Sequence, residues 1–421
     1  MKAGIYTVGG SPEPIFKCVL SRRPAFILFV VSRGSDGTVK KDILARLDYE
    51  PSVTKVMLED ENSLEDVYER VRRTVPKWLE KNELSRKDVY FNYTGGTKSM
   101  SAGLVLAAVE LLPTYYYISG DRDAGGLGRV ISGREQHQQG GNPWFRYAIR
   151  ERALATEFLR VGQADEAARV LQSAIPFALD PEGELKFWAK FCQMLGDQQR
   201  FNFKQANDKY RGMERKLEWL EQKEPSVAEW FQSQKGYLDA LEKESNPNET
   251  KSKDHLLTEL LLNADRCASG ARYDDATARL YRAVELHGQN CLSRCVKGAR
   301  LGRIYAKDAS GADWKLILDL APEQKGKSTV NTKGEAFLEF TLEALYRLLS
   351  KLDPNQYGDY EHIYEEGLKS AMQSRNHSIL AHGVNPIGRE RFEKVRHTLY
   401  EKLGLAPIRE RKWPEIDFAK V

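Results

Sequence analysis

Residues 89–103, VYFNYTGGTKSMSAG, decide the fold of the first third of this 421-residue chain. An apolar, aromatic run ends in paired glycines, and a small-residue helical stretch begins three residues later. That order is the strand–turn–helix step of a parallel α/β sheet. Working outward, AGIYTV (3–8), AFILFVVS (25–32), TKVMLE (54–59) and TYYYIS (114–119) read as further strands. Their nearly continuous apolar character suits strands covered on both faces. Between them, SLEDVYERVRRTVPKWLEKN (63–82) reads as an amphipathic helix and KSMSAGLVLAAVELL (98–112) as a more buried one. GRVISG (128–133) closes the unit, and QQGGNP (138–143) marks its boundary.

From Trp144 onward the pattern is helix after helix. AIRERALATEFLRVG and ADEAARVLQSAI form a hairpin turned at Gly162, and YDDATARLYRAVELHGQ follows a second turn near Gly270. Two such copies do not make a repeat array. KESNPNETKSKD (243–254) is polar and holds Asn-Pro, so it is read as a linker, while APEQKGKSTVNTKGE (321–335) interrupts the last helical block. The domains expected are 1–140, 141–250 and 251–421.

Composition narrows the function. With 64 basic and 60 acidic residues the net charge is +4, so any nucleic-acid contact must be local. The five cysteines form no CxxC pair, which argues against a thiolate zinc site or a disulfide framework. No apolar run is long enough to span a bilayer and the first residues lack a signal-peptide pattern, so a cytoplasmic protein with no membrane association is expected.

Two constellations carry chemistry. In the first, Thr94, Gly95, Gly96, Thr97, Lys98 and Ser99 lie between a strand and a helix, where free backbone N–H groups, hydroxyls and a charge meet an anion. Gly9, Gly10 and Ser11 follow the first strand in the same way and open on the same sheet edge. Neither loop has Walker A or GxGxxG spacing, which disfavours NTP hydrolysis and hydride transfer. A phosphate-bearing ligand fits.

The second constellation is SRNHSILAHG, residues 374–383. Arg375 and His382 are seven apart and share a helical face, about 10.5 Å apart along the axis, a gap that long side chains or a partner helix would have to close, as a two-fold dimer packing this helix against its copy would. His382 precedes Gly383, a natural helix terminator, and a C-terminal imidazole suits general acid/base cleavage of RNA. Arg375 would stabilise phosphate charge and Asn376 would orient the scissile group. The 2′-hydroxyl of RNA is its own nucleophile, so no metal is needed. By shape alone, a surface arginine and a capping histidine fit better.

The chain resembles the CARF–HEPN ribonucleases of type III CRISPR systems, the ancillary effectors of Csm-six-like type. NYTGGTKSMSAG (92–103) resembles the CARF loop, TVGGSPEPI (7–15) the first-strand loop and RNHSILAH (375–382) the HEPN motif, with YDDATARLYRAVE like the helix packed beside it. The resemblance implies an α/β N-terminal domain with a Rossmann-like parallel sheet, then all-α domains ending in a HEPN helical domain. It implies a homodimer whose CARF loops bind cyclic oligoadenylate, tetraadenylate rather than hexaadenylate, as an allosteric activator. It also implies a metal-independent endoribonuclease that cuts single-stranded RNA without a catalytic cofactor. Arg375, Asn376 and His382 carry over as catalytic, with Arg279 or Arg282 as possible supports. A non-catalytic CARF regulator and a HEPN toxin outside CRISPR are the competing readings.

Overall fold

The computed structural model describes residues 2–112, 114–122, 130–246, 252–309, 311–324, 328–331, 334–369 and 384–420. Contacts divide the chain into two compact units, Met1–Glu151 with Ser173–Glu182, and Arg152–Gln172 with Gly183–Val421.

The first unit is built on one sheet. Its strands are β1 (Ala3–Val8), β2 (Phe26–Val31), β3 (Ser52–Met57), β4 (Val89–Asn92), β5 (Thr114–Arg122) and β6 (Val130–Gly141), in the order β3-β2-β1-β4-β5-β6. All neighbours are parallel except β5 and β6. Both faces are covered, as the apolar strands required. Ile5, Leu28 and Phe91 lie under α2 (Leu64–Lys81) and α3 (Lys98–Ala108), with Val67, Val71 and Leu104 closing that core. Tyr6, Phe29 and Tyr90 face the other way, toward Ile15, Cys18 and Val19 of α1 (Glu13–Arg22). The five expected strands and the two helices between them form where the periodicity placed them.

β6 corrects the boundary drawn at QQGGNP. Gln138–Gly141 belong to the strand, paired from Tyr117↔Gln138 to Thr114↔Gly141. Backbone pairing along an edge does not demand apolar side chains, so a polar, glycine-rich stretch can complete the ladder. The first unit continues past it to Glu151, through Asn142. That side chain is buried, caps Trp144 N at 3.0 Å and donates to the carbonyls of Val109 and Leu112 at 2.6 and 2.9 Å.

The second unit is mostly helical. Its longest helices include α4 (Glu184–Gln199), α5 (Pro225–Glu244), α6 (Asp254–Ser269), α7 (Tyr273–Cys295), α8 (Leu342–Leu352) and α9 (Arg389–Leu403). Leu260, Ala264, Leu280, Ala283, Tyr346 and Phe392 form the core shared by α6, α7, α8 and α9. A three-stranded antiparallel sheet, Arg303–Tyr305, Ala336–Glu339 and Thr329–Val330 in that order, corrects the all-α expectation for this region. It accounts for the Gly/Lys-rich interruption. Strands of two to four residues are too short to show a period.

The segment read as a second linker is tied at both ends. Lys253 is buried, its backbone N donates to Asn290 Oδ1 at 2.9 Å, and Leu256 N donates to Glu244 Oε2 at 2.8 Å. No described helix is long and apolar enough to cross a membrane.

Candidate functional site

The sheet order places the first site. The chain leaves β1 toward β2 and β3, then returns to build β4 and β5 on the other side, so strand order reverses between β1 and β4. At such a switch point the loops after the two strands part and leave a crevice at their carboxyl ends. Here those loops are Gly9–Ser11 and Tyr93–Thr97, the two that the sequence singled out.

They are packed against each other. A Cβ on Gly9 would sit 2.7 Å from Gly96 N, and one on Gly95 would strike the carbonyl oxygen of Thr7. Gly96 adopts φ +88, the left-handed region where a side chain is strained. Thr7 Oγ1 donates to Gly95 O at 2.6 Å and Ser101 Oγ donates to the same oxygen at 3.2 Å. The turn is therefore fixed before any ligand arrives.

The hydroxyls of the second loop are engaged inside the protein. Thr97 caps α3 by accepting from Met100 N at 3.2 Å and donates to the carbonyl of Glu61. Ser99 Oγ donates to Asn62 O at 2.8 Å, and Thr94 Oγ1 accepts from Ile118 N at 2.9 Å. These three residues hold the loop's shape. The outward-facing groups are Gly10, Ser11, Gly96 and the ammonium of Lys98, all exposed at the crevice edge. An anion there would meet backbone N–H groups, the positive end of the 11-residue α3 and one lysine charge.

Sequence reasoning missed Asn92. It is fully buried at the end of β4, accepts from Thr94 N at 2.9 Å and donates to Cys18 Sγ at 3.3 Å. The signal was available: an amide closing an otherwise apolar strand needs partners. Beneath it the Tyr6 and Tyr90 hydroxyls bond to each other, and burial pushes both phenols upward, as it does the Cys18 thiol. The floor of the crevice is thus uncharged.

The second constellation, Arg375, Asn376 and His382, lies outside the described residues. Its surroundings are described on both sides. Tyr360 OH lies 2.8 Å from His287 Nε2 of α7, and past the motif Ile387 N donates to Asp274 Oδ2 at 3.0 Å. The motif is thereby bracketed by two attachments to α7. His287 is half-buried, and desolvation depresses its pKa to about 4, which keeps the imidazole neutral near neutral pH.

The two arginines considered as supports differ. Arg282 is paired with Glu285 at 3.1 Å and Gln289 at 3.2 Å on the surface of α7. Arg279 turns inward, donating from Nε to Asn263 Oδ1 at 2.7 Å and from Nη1 to Asp275 O at 2.8 Å. Cys291 and Cys295 lie four residues apart on α7, the first buried and the second exposed.

Residues 244–405 match the family model described as the Csm6 HEPN domain. Among solved structures, Csm6 of Enterococcus italicus, bound to cyclic hexa-2′-fluoro-hexa-dAMP, superposes with a TM-score of 0.55. The alignment covers 95% of this chain and 94% of that one at 13% identity. Can2 of Sulfobacillus thermosulfidooxidans, in complex with cyclic tetra-adenylate, aligns over 48% of this chain and 66% of its own, with 12% identity and a TM-score of 0.25. No curated protein sequence is significantly similar to this chain. The shared fold joins an N-terminal, mainly parallel α/β sheet to a largely helical region carrying the HEPN domain.

Proposed function

With residues 244–405 a Csm6 HEPN domain on a chain of Csm6 fold, we propose a cyclic-oligoadenylate-activated endoribonuclease of type III CRISPR defence that cuts single-stranded RNA. The observation that carries this reading is the extent of the HEPN match, which encloses Arg375, Asn376 and His382. His382 acts as general acid or base, Arg375 stabilises charge on the phosphorane and Asn376 orients the scissile group. The RNA 2′-hydroxyl attacks its own phosphate, and the 5′-oxygen leaves with a proton. The product ends are a 2′,3′-cyclic phosphate and a 5′-hydroxyl, and no metal takes part.

The activator binds at the β1/β4 crevice through Gly9, Gly10, Ser11, Gly96 and Lys98. Thr94, Gly95, Thr97 and Ser99 hold the loop. The N-terminal α/β unit serves as sensor and the region of the HEPN match, residues 244–405, as nuclease, in a cytoplasmic homodimer. The sequence reading favours cyclic tetraadenylate, whereas the Enterococcus protein is bound to a six-membered ring. Titration of both rings into the protein, followed by cleavage of labelled single-stranded RNA in excess EDTA, tests the whole reading. Activation by one ring, with cyclic-phosphate ends, is expected. RNA left intact with every ring, or cleavage abolished by chelator, would overturn it.

A further inference from the structure

Three helix ends of the second unit converge on one groove. Helix Ile149–Arg160 stops at Gly162, α4 at Phe201 and α6 at Ala271, where the backbone turns left-handed with φ of 69, 62 and 57. Each stop is closed by the same bond, reaching back five residues: Gln163 N to Phe158 O at 2.8 Å, Asn202 N to Asp197 O at 2.8 Å and Arg272 N to Cys267 O at 2.9 Å. Immediately after each stop another helix starts, at Ala164, Phe203 and Tyr273. The cavity among them has a volume of about 790 Å³ and is lined by Phe158, Phe201, Arg200, Arg272, Arg279 and neighbouring amides.

Its charges are matched in number but not in geometry. Arg200 is occupied by Asp165 and by Asp197 at 2.7 Å, and Glu166, the other acid of the wall, is paired with Arg169. Arg272 and Arg279 share one carboxylate, Asp275, at 4.0 and 3.6 Å. Nε and Nη2 of Arg272 are buried with no hydrogen-bond partner among the described residues. Buried guanidinium donors left unpaired are unfavourable, and an anionic oxygen is the acceptor they suit best.

The groove also has a ring. Glycine would take the left-handed position at residue 201 without penalty, yet a phenylalanine stands there, at a cost of about 1–2 kcal/mol. Its ring packs edge-on against Phe203, with centroids 5.9 Å apart, and lines the groove. Guanidinium, amide and a half-buried aromatic ring together recognise a phosphodiester with an unstacked base, the makeup of a single-stranded nucleotide site.

We propose that this groove binds the backbone and one base of single-stranded RNA, as a holding site built from residues outside the Arg375–His382 motif. The proposal rests on the RNase reading and adds to it a second place where substrate is gripped. Cyclic oligoadenylate shares the same chemistry, so the test must tell the two apart.

Fluorescence anisotropy with a single-stranded 2′-O-methyl RNA measures binding without cleavage, because the nucleophile is blocked. Arg272→Ala should weaken this RNA about tenfold and lower the slope of log affinity against log salt by about one. Arg272→Lys should keep the slope while recovering only part of the affinity, and Phe201→Leu, which keeps an apolar side chain but removes the ring, should weaken RNA without changing the slope. Affinity for cyclic tetra- and hexaadenylate, measured by calorimetry on the same variants, should not change. Crosslinking of wild-type protein to 4-thiouridine RNA should mark a peptide within 158–202 or 272–279, independently of any variant's folding. Wild-type-like RNA affinity and slope in Arg272→Ala, or crosslinks only elsewhere, would overturn the groove while leaving the RNase reading standing. Loss of cyclic-nucleotide binding with RNA binding intact would assign the groove to the activator and overturn the proposal. A wild-type protein that neither binds nor cuts RNA would remove both.

Discussion

Lys98 and Gly95 occupy one loop and do opposite work. Lys98 is exposed at the crevice edge and adds only charge, so Lys98→Ala should leave the fold intact and weaken the activator by about 1.5–3 kcal/mol, roughly tenfold or more in affinity. Calorimetric titration checks this, and unchanged affinity would remove the loop from the site. Gly95→Ala forces a Cβ onto the Thr7 carbonyl, which Thr7 and Ser101 hold in place through Gly95 O. That substitution should lower the melting temperature, by overpacking worth about 1–3 kcal/mol, and abolish activator binding together. At the other constellation, Arg375→Ala and His382→Ala should each lose roughly a hundredfold or more of RNA cleavage, as measured by single-turnover rates at saturating activator. His377 lies about 160° around a helix from Arg375, so His377→Ala is the control that should retain most of the rate.

Elements explain what could be read in advance and what could not. β1, β2 and β4 were legible because a strand buried on both faces is written as an unbroken apolar run, and Gly95 and Gly96 because only glycine tolerates that approach. The end of β6 was not, since Gln138–Gly141 complete an edge mainly through backbone bonds. Phe201 and Ala271 were equally hidden. They take the conformation that glycine announces, and here the helix-ending bonds and packing impose it on residues that disfavour it. His287 was not singled out, because the motif that drew notice lies elsewhere, but α7 buries it against Tyr360. Its folded pKa of about 4 lies below the ordinary 6.5, so between these values the unfolded chain binds more protons. The stabilisation is full above pH 6.5 and is lost as pH falls toward 4, at most about 3 kcal/mol at 1.36 kcal/mol per unit. In thermal melts, His287→Gln should flatten the acid side of the stability profile. A profile as steep as the wild type would place the proton uptake elsewhere.

For the whole molecule, a dimer is expected, because Arg375 and His382 would stand about 10.5 Å apart along a single straight helix and a partner helix would close that gap. Light scattering at micromolar concentration should give twice the 48.0 kDa chain mass. A monomer that is active with ligand would show that one chain holds a complete site.

The assignment of Ser173–Glu182 to the first unit, with Arg152–Gln172 in the second, has a practical consequence for dissection. The chain passes between units three times, so no single cut releases either one whole. A fragment ending at residue 140 discards Asn142, which holds the carbonyls that end the α3 segment, and also the returning decapeptide. A sensor meant to be studied by itself must therefore be excised as two discontinuous pieces rejoined by a linker replacing 152–172.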